Sequence, residues 1–465
     1  MLEQFNIIIP ELSLTLIALF TQIFAIFFSS KNKIIVNLTI LLSIILVFVT
    51  LKISAQEATA FNDSFVTNSV TGSYKAIVLI FTIMTMIIYR DYCATSSEEL
   101  KNEFFTLVLL STAGIFVAIS ARNFLLLFCA MELPALIAYV LAGFKLNDIK
   151  SSEGALKYFI LGSLVSCLSL FGISFIYGFG GSLEFSDILY KLNTSNANIG
   201  LVVGIVLFLS SLFFKLSSVP MHSWVPEVYE GSPVSSVTYF ATASKIGMVA
   251  ILLNIMNLVV GDYHPISINL IKIIAVLSMI FGALGAIRQT SLKRLMAYST
   301  ILNIGYVLVG VALHNSEGNF AAMLYMLIYA TGTIGFFACL IALLGSEADK
   351  ATFDSIQGIS ANHKAIAGAI TIIMFSMIGI PPLAGFLGKY YLFYQAINKG
   401  EYLLAFVGIF TSIIAAYYYL KIIKTMYFVE NIELIEKKIP TQYGLLLINS
   451  IVIGFLLFAS FFIKF

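Results

Sequence analysis

The sequence predicts an all-α polytopic membrane protein of about fourteen transmembrane helices, built as two inverted five-helix repeats with helices 7 and 12 broken. Three observations predict it. First, apolar residues make up 60% of the chain and charged residues 11%, with a mean hydropathy of +0.98. A soluble domain needs roughly 25% charged residues to cover its exterior, so lipid covers this one. Second, apolar runs of about 20 residues, the length that crosses a bilayer, recur from one end to the other. Lipid satisfies no backbone group, so runs this long are helices. Third, proline-interrupted apolar stretches recur at matching places in the two halves.

The runs span about 5–28, 34–52, 73–90, 104–120, 122–144, 153–177, 199–223, 235–258, 266–287, 294–313, 319–345, 363–397, 401–427 and 440–463. The twelfth is interrupted at Pro381 and Pro382. Short turns make the whole chain, 1–465, one membrane domain. It divides into an N-terminal part (1–103, helices 1–3), repeat one (104–258, helices 4–8), repeat two (259–427, helices 9–13) and helix 14 (428–465).

Loop charge predicts the orientation. Loops after odd-numbered helices carry Lys31, Lys33, Arg90, Lys101, Lys145, Lys150, Arg288, Lys293, Arg294, Lys350, Lys424, Lys437 and Lys438, whereas the others carry mainly Arg122, Lys191 and Lys399. The positive-inside rule turns the odd loops to the cytoplasm and both termini outward.

Several function classes find no support. The net charge is +2 and no basic cluster interleaves with aromatics, so no nucleic-acid surface is expected. Cys93, Cys129, Cys167 and Cys339 are isolated and read as buried small hydrophobes, with no metal site and no disulfide framework. No glycine-rich nucleotide motif is present, so no cofactor is expected on this chain. MLEQFNIIIPEL has an acidic residue where a signal peptide is basic, so the first run reads as a retained helix.

Phe214–Pro220 (FKLSSVP) and Phe375–Pro381 (FSMIGIP) share F-x-x-x-x-[VI]-P. Upstream, Ala155–Phe159 (ALKYF) and Ala322–Met326 (AMLYM) share A-x-x-Y. The separations, 161 and 167 residues, are nearly equal. A block of five helices has an odd number of spans, so a tandem copy inserts upside down. In such folds paired broken helices point to the ion site.

Glu132, Lys215, Lys245 and Lys389 all lie within apolar runs. Each costs about 2.5–3.5 kcal/mol at the bilayer centre on insertion scales, so each is expected to face the protein interior. Pro220, Pro381 and Pro382 free backbone groups that need polar partners or water at mid-depth, and the lysines beside the breaks are expected in those wet pockets. A Glu132–Lys215 pair would then hold or release a proton according to its separation.

Other ionisable groups read more simply. Lys272 is expected to snorkel, and Lys157 either to snorkel or to assist as an auxiliary site. His222 either relays protons or caps the break. His264, His314 and His363 are expected at solvated loop edges, and Glu11 as a helix-start carboxylate. The acids of 91–103 read as a solvated loop. The many Phe and Tyr residues read as lipid contacts and core.

FKLSSVPMHSWVPEVYEGSP, AMELPALIAYVLAGF, SEGALKYFILGS, SLKRLMAYSTILNIGYVLVG and GIPPLAGFLGKYYLF resemble the antiporter-like subunit N of respiratory complex I, the proton-pumping NADH-quinone oxidoreductase. The resemblance covers essentially the whole chain. Its VPEVYEGSP segment sets it apart from M-type and L-type relatives, which usually carry an acidic-Ala-His run there, and no lateral helix of the L type follows helix 14.

The resemblance implies a proton path through Glu132, Lys215, Lys245 and Lys389, with Lys157 auxiliary. It implies flavin, iron–sulfur clusters and quinone in partner subunits. The partners it implies are an M-type antiporter-like subunit and small membrane subunits, with lipid around them, in a bacterial cytoplasmic membrane with both termini periplasmic. One place departs from the family pattern: helix 10 carries Asn303 where relatives often have histidine. Asparagine hydrogen-bonds but does not titrate, so the path either tolerates a polar link there or runs elsewhere. Two other readings share these residues: a subunit of a multisubunit sodium/proton antiporter, and a membrane scaffold whose buried charges are inert ion pairs.

Overall fold

The computed structural model describes residues 2–28, 32–96, 99–194, 198–260, 265–428 and 442–462. Lys31, His264, Lys437 and Lys438 lie outside the described residues. Every predicted run contains a helix. In chain order these are α1 Ile9–Phe27, α2 Asn32–Ile53, α3 Ser69–Ser96, α4 Asn102–Ser120, α5 Phe124–Ala142 and α6 Ile149–Gly180. Next come α7a Ile199–Leu216 and α7b Trp224–Gly231, α8a Val234–Ala241 and α8b Ala243–Ile255, α9 Pro265–Ile287, α10 Leu292–Ala312 and α11 Ser316–Leu344. The last are α12a Lys364–Ile378, α12b Ala384–Asn398, α13 Tyr402–Phe428 and α14 Tyr443–Phe462.

Among the described residues, twelve spans are long and apolar enough to cross a membrane. The other two are α12, whose halves are 15 residues each, and α14, which is apolar over Tyr443–Ala459. A 15-residue half is about 22 Å long, too short to cross the ~30 Å hydrocarbon layer alone.

Helix starts follow local chemistry. Asn123, Asp148, Asn198, Ser291 and Asn315 each cap a helix by accepting from a backbone N–H in its first turn, satisfying donors that have no intrahelical partner. α10 and α11 are the most enclosed spans, and α1, α2, α6 and α13 are the least, with many exposed Leu, Ile and Phe side chains. A hairpin of β1 (Ala58–Ala60) and β2 (Phe65–Thr67) covers one end of α3.

Four expectations change. The seventh run does not stop at 223: the break occupies 217–223 and helix resumes through Gly231. α3 runs on to Ser96, so Asp91 is not in a solvated loop; it is 3% exposed and accepts the N–H of Leu445 at 3.0 Å. The eighth run is interrupted at Thr242 (φ −121°, ψ −89°), three residues before Lys245. Cys129 and Cys167 lie exposed on the bundle surface, while Cys93 and Cys339 are buried as expected.

Candidate functional site

α7a ends where Ser217 turns left-handed (φ 70°). The N–H of Ser218 reaches back to the carbonyl of Phe213 at 2.9 Å, a closure typical of helix C-termini. The carbonyl of Lys215 is left facing inward, and Lys245 from α8b donates to it at 2.7 Å and also to Ser217 Oγ. The ammonium of Lys245 lies 5.2 Å from the Trp224 ring centroid, and Trp224 Nε1 donates to the carbonyl of Phe214 at 3.2 Å. Lys245 is 1% exposed.

Lys215 turns toward α5. Its Nζ donates to the carbonyl of Met131 at 3.2 Å and lies 3.5 Å from Glu132 Oε1. Ser166 of α6 donates to Glu132, at 2.8 and 2.9 Å from its two oxygens. Pro134 sits inside α5 two residues after Glu132, removing a backbone donor beside the pair. A cavity of about 20 Å³, lined by Met131, Tyr139, Tyr158, Lys215 and Ser244, adjoins it, enough for roughly one water molecule. The structure therefore joins three of the four predicted charges, Glu132, Lys215 and Lys245, around the break at Pro220. Glu132 is not fully interior: 24% of its side chain is exposed.

The second break repeats the first. Gly379 (φ 94°) ends α12a, and the N–H of Ile380 reaches back to the carbonyl of Phe375 at 3.1 Å. Lys389 of α12b donates to the carbonyls of Met377 at 2.9 Å and Ile378 at 3.0 Å, and to Ser412 Oγ of α13 at 2.8 Å. In both halves a lysine ammonium thus sits on a helix C-terminus, the negative end of its dipole. A cleft of about 530 Å³ between α12b and α13 opens from Lys389 and Ser412 to the outside of the bundle.

The remaining candidates divide. His222 lies in the first break, its ring 6.1 Å from that of Phe281. Lys157 pairs with Glu153 at 2.7 Å and Glu227 at 2.5 Å on a half-exposed surface. Lys272 pairs with Glu401 at 2.5 Å, both side chains about a quarter exposed. His363 is exposed as expected, while His314 is half-buried.

Sequence reasoning missed two buried lysines. Lys75 is fully buried and bonds Glu11 at 2.5 Å, with the Phe65 ring centroid 5.0 Å away. Glu11 is in the first turn of its helix as expected, but its partner is this lysine. The position of Lys75 inside the third apolar run was the available signal. Lys293 is 2% exposed and donates to the carbonyl of Ser232 at 2.7 Å. It lines a cavity of about 590 Å³ with Lys145, Lys150, Glu230, Asp349 and Lys350. These residues come from the loops and helix ends after odd-numbered spans, which the structure gathers on one face.

Two helix breaks, each closed by a lysine inside an all-helical membrane bundle, define an antiporter-like membrane subunit. The family model described as NADH:quinone oxidoreductase/Mrp antiporter, TM, matches residues 121–415. A relative named NADH-quinone oxidoreductase subunit N, from Rickettsia bellii, is 72% identical over 98% of this chain and 100% of its own length. The chain belongs to the NADH-quinone oxidoreductase subunit N family. Among solved structures, a chain of respiratory complex I from Thermus thermophilus with bound Aureothin has 25% identity and a TM-score of 0.81, covering 97% of this chain and 98% of that one. The Mrp complex from Dietzia sp. shares the fold at a TM-score of 0.76 and 20% identity, over 92% of this chain and 81% of that one.

Proposed function

We propose that the chain is a proton-translocating membrane subunit of NADH-quinone oxidoreductase, moving protons through Glu132, Lys215, Lys245 and Lys389 under the drive of quinone reduction elsewhere in the complex. The observation that carries this reading is the gathering of Ser166, Glu132 and the Lys215 ammonium on one side of the first break with Lys245 bonded to the Lys215 main-chain carbonyl on the other. Glu132 and Lys215 are close enough to share a proton, and a change in their separation shifts which of them holds it. Each proton moved against 100 mV requires about 2.3 kcal/mol, which a partner subunit has to deliver. Flavin, iron–sulfur clusters and quinone belong to those partners, among them an M-type antiporter-like subunit and small membrane subunits. Lys157 and His222 are auxiliary.

The partition into inverted repeats at 104–258 and 259–427 is supported by the matched breaks at Ser217 and Gly379. An orientation with both termini periplasmic, in a bacterial cytoplasmic membrane, is supported by the gathering of lysine-bearing loops on one face. The test is the assembled complex carrying Lys245→Ala or Glu132→Ala. Proton uptake and quinone reduction in membrane vesicles should both fall while the complex still assembles; full coupled activity in both variants would sink the reading in favour of a scaffold.

A further inference from the structure

The cavity of about 590 Å³ on the face that gathers the odd-numbered loops lies apart from the contacts at either break. We infer that it is a binding site for a phosphate-bearing anion, held between Lys293, at the start of α10, and Lys350.

The charge balance points to an anion. Four lysines line the cavity, Lys145, Lys150, Lys293 and Lys350, against three carboxylates, Asp148, Glu230 and Asp349. Every carboxylate is already engaged. Asp349 accepts from the N–H of Val234 and from Tyr92, each at 2.7 Å, and from Lys145. Glu230 accepts from Lys150 and from Arg294, each at 3.0 Å. Asp148 caps α6 by accepting the N–H of Lys150 at 2.9 Å. Lys293 and Lys350 pair with no carboxylate among the described residues.

Lys293 is the centre of the site. An ammonium has three hydrogens to donate. Lys293 is 2% exposed, and its Nζ has one acceptor among the described residues, the carbonyl of Ser232 at 2.7 Å. Buried polar groups are normally satisfied, and the cavity is where the missing acceptors would sit. Ser232 Oγ, beside Gly231 of the cavity wall, is likewise buried with no partner among the described residues. The start of α10 adds to this. The N–H of Leu292 goes to the carbonyl of Ala351 at 3.0 Å and that of Arg294 to Ser291 Oγ at 3.4 Å, which leaves the N–H of Lys293. A helix start favours an anion through such N–H groups and its dipole. At α6 the Asp148 carboxylate already supplies that negative charge, whereas the α10 cap is the neutral Ser291.

A phosphate suits these donors, because it carries full charge and several acceptor oxygens that lysine binds as a point charge. The cavity has room for the rest of the molecule as well. Leu146 and Ile149 stand 81% and 85% exposed beside Lys145 and Lys150. Lysines with apolar neighbours at a helix end suit the headgroup level of a bilayer, and basic pockets between helices at that level take anionic headgroups. A second cavity of about 180 Å³ shares Lys150, Glu230 and Gly231 with the first and continues along α6 to Lys157. An acidic phospholipid would reach the site along it; a soluble phosphate would enter from water.

Asn147 lines the cavity and is exposed, so an occupant shields it. The test uses purified, delipidated complex carrying Asn147→Cys, with the rate of N-ethylmaleimide modification read on this chain by mass spectrometry. Inorganic phosphate or mixed micelles containing phosphatidylglycerol should slow the modification at least fivefold. Phosphatidylcholine micelles, or chloride at the same ionic strength, should not. Slowing by phosphatidylglycerol alone makes a membrane lipid the source, and slowing by inorganic phosphate makes it a soluble one. Lys293→Gln should abolish the protection, and Lys350→Glu should cut it at least threefold. No slowing with either probe overturns the site, as does equal slowing by phosphatidylcholine or chloride. Protection that Lys293→Gln leaves intact overturns it too. If Lys293→Gln fails to assemble, Lys350→Glu, at an exposed position, decides in its place: intact protection overturns the site and reduced protection upholds it.

Discussion

Lys245 Nζ donates to the main-chain carbonyl of Lys215 at 2.7 Å, so one lysine's ammonium closes the helix end that another lysine forms. A cation at a helix C-terminus gains about 0.3–1 kcal/mol, and up to ~2 when partly buried. Burying a lysine at the bilayer centre costs about 2.5–3.5 kcal/mol. The cap therefore offsets only part of the cost, and the Ser217 hydroxyl and Trp224 ring supply more. Lys245→Met keeps the bulk, removes the charge and leaves the Lys215 carbonyl without this donor. Proton translocation in assembled complex should fall at least tenfold, while native-gel abundance falls much less. Equal losses in both measurements would show that the lysine serves assembly alone.

The two breaks make opposite demands on substitution. Gly379 has φ 94° and Ser217 has φ 70°, a region that costs a residue with a side chain about 1–2 kcal/mol. Gly379→Ala adds that cost and brings a Cβ within 3.2 Å of Lys389 Cδ. Ser217→Gly removes it, at the loss of one hydroxyl from Lys245. In thermal inactivation of the complex, Gly379→Ala should lower the midpoint and Ser217→Gly should leave it level or raise it. A shift in the same direction for both would contradict the shared closure.

Much of this was legible in the chain. Apolar run length put a helix in every predicted run, because lipid leaves the backbone no alternative to helix. Paired prolines marked both breaks, and mid-run charge marked the lysines. The illegible parts are tertiary. Where helix 7 resumes after Pro220 depends on Trp224 bonding back to Phe214, and nothing local announces it. The interruption at Thr242 carries no glycine or proline. The partners of Lys272 and Lys157, Glu401 and Glu227, are distant in sequence and could not be read from the chain. Burial of Asp91 is not legible locally: besides the adjacent Arg90, it bonds the first turn of α14, 354 residues away.

Glu11 and Lys75 form a buried pair whose two members are not equivalent to no pair at all. Removing one leaves the other charged and desolvated, at about 3–5 kcal/mol, whereas replacing both with apolar residues is often neutral. Lys75→Met alone should cut the amount of assembled subunit sharply, and Glu11→Leu with Lys75→Met should restore most of it. Proton translocation per electron should be unchanged in whatever assembles. A double variant worse than either single would mean that the pair itself is required.

Asp349 ties three distant segments together. Its Oδ1 accepts the N–H of Val234 at the start of α8a at 2.7 Å, and its Oδ2 accepts from Tyr92 of α3 at 2.7 Å and from Lys145. Hydrogen bonds to a charged group contribute about 1.5–3 kcal/mol each, so losing all three in Asp349→Ala should destabilise the subunit by several kcal/mol. Asp349→Asn keeps an acceptor for Val234 and an oxygen or amide near Tyr92, but abolishes the attraction to Lys145. It should lie between wild type and alanine in the thermal midpoint of the complex. Added salt should weaken the wild type toward the asparagine variant, because Lys145 is about a quarter exposed and its pairing is open to screening. If asparagine and alanine coincide, the charge accounts for the whole effect and the hold on the start of α8a contributes nothing; if asparagine matches wild type, the ion pair is idle and the backbone bond alone fixes the start of α8a.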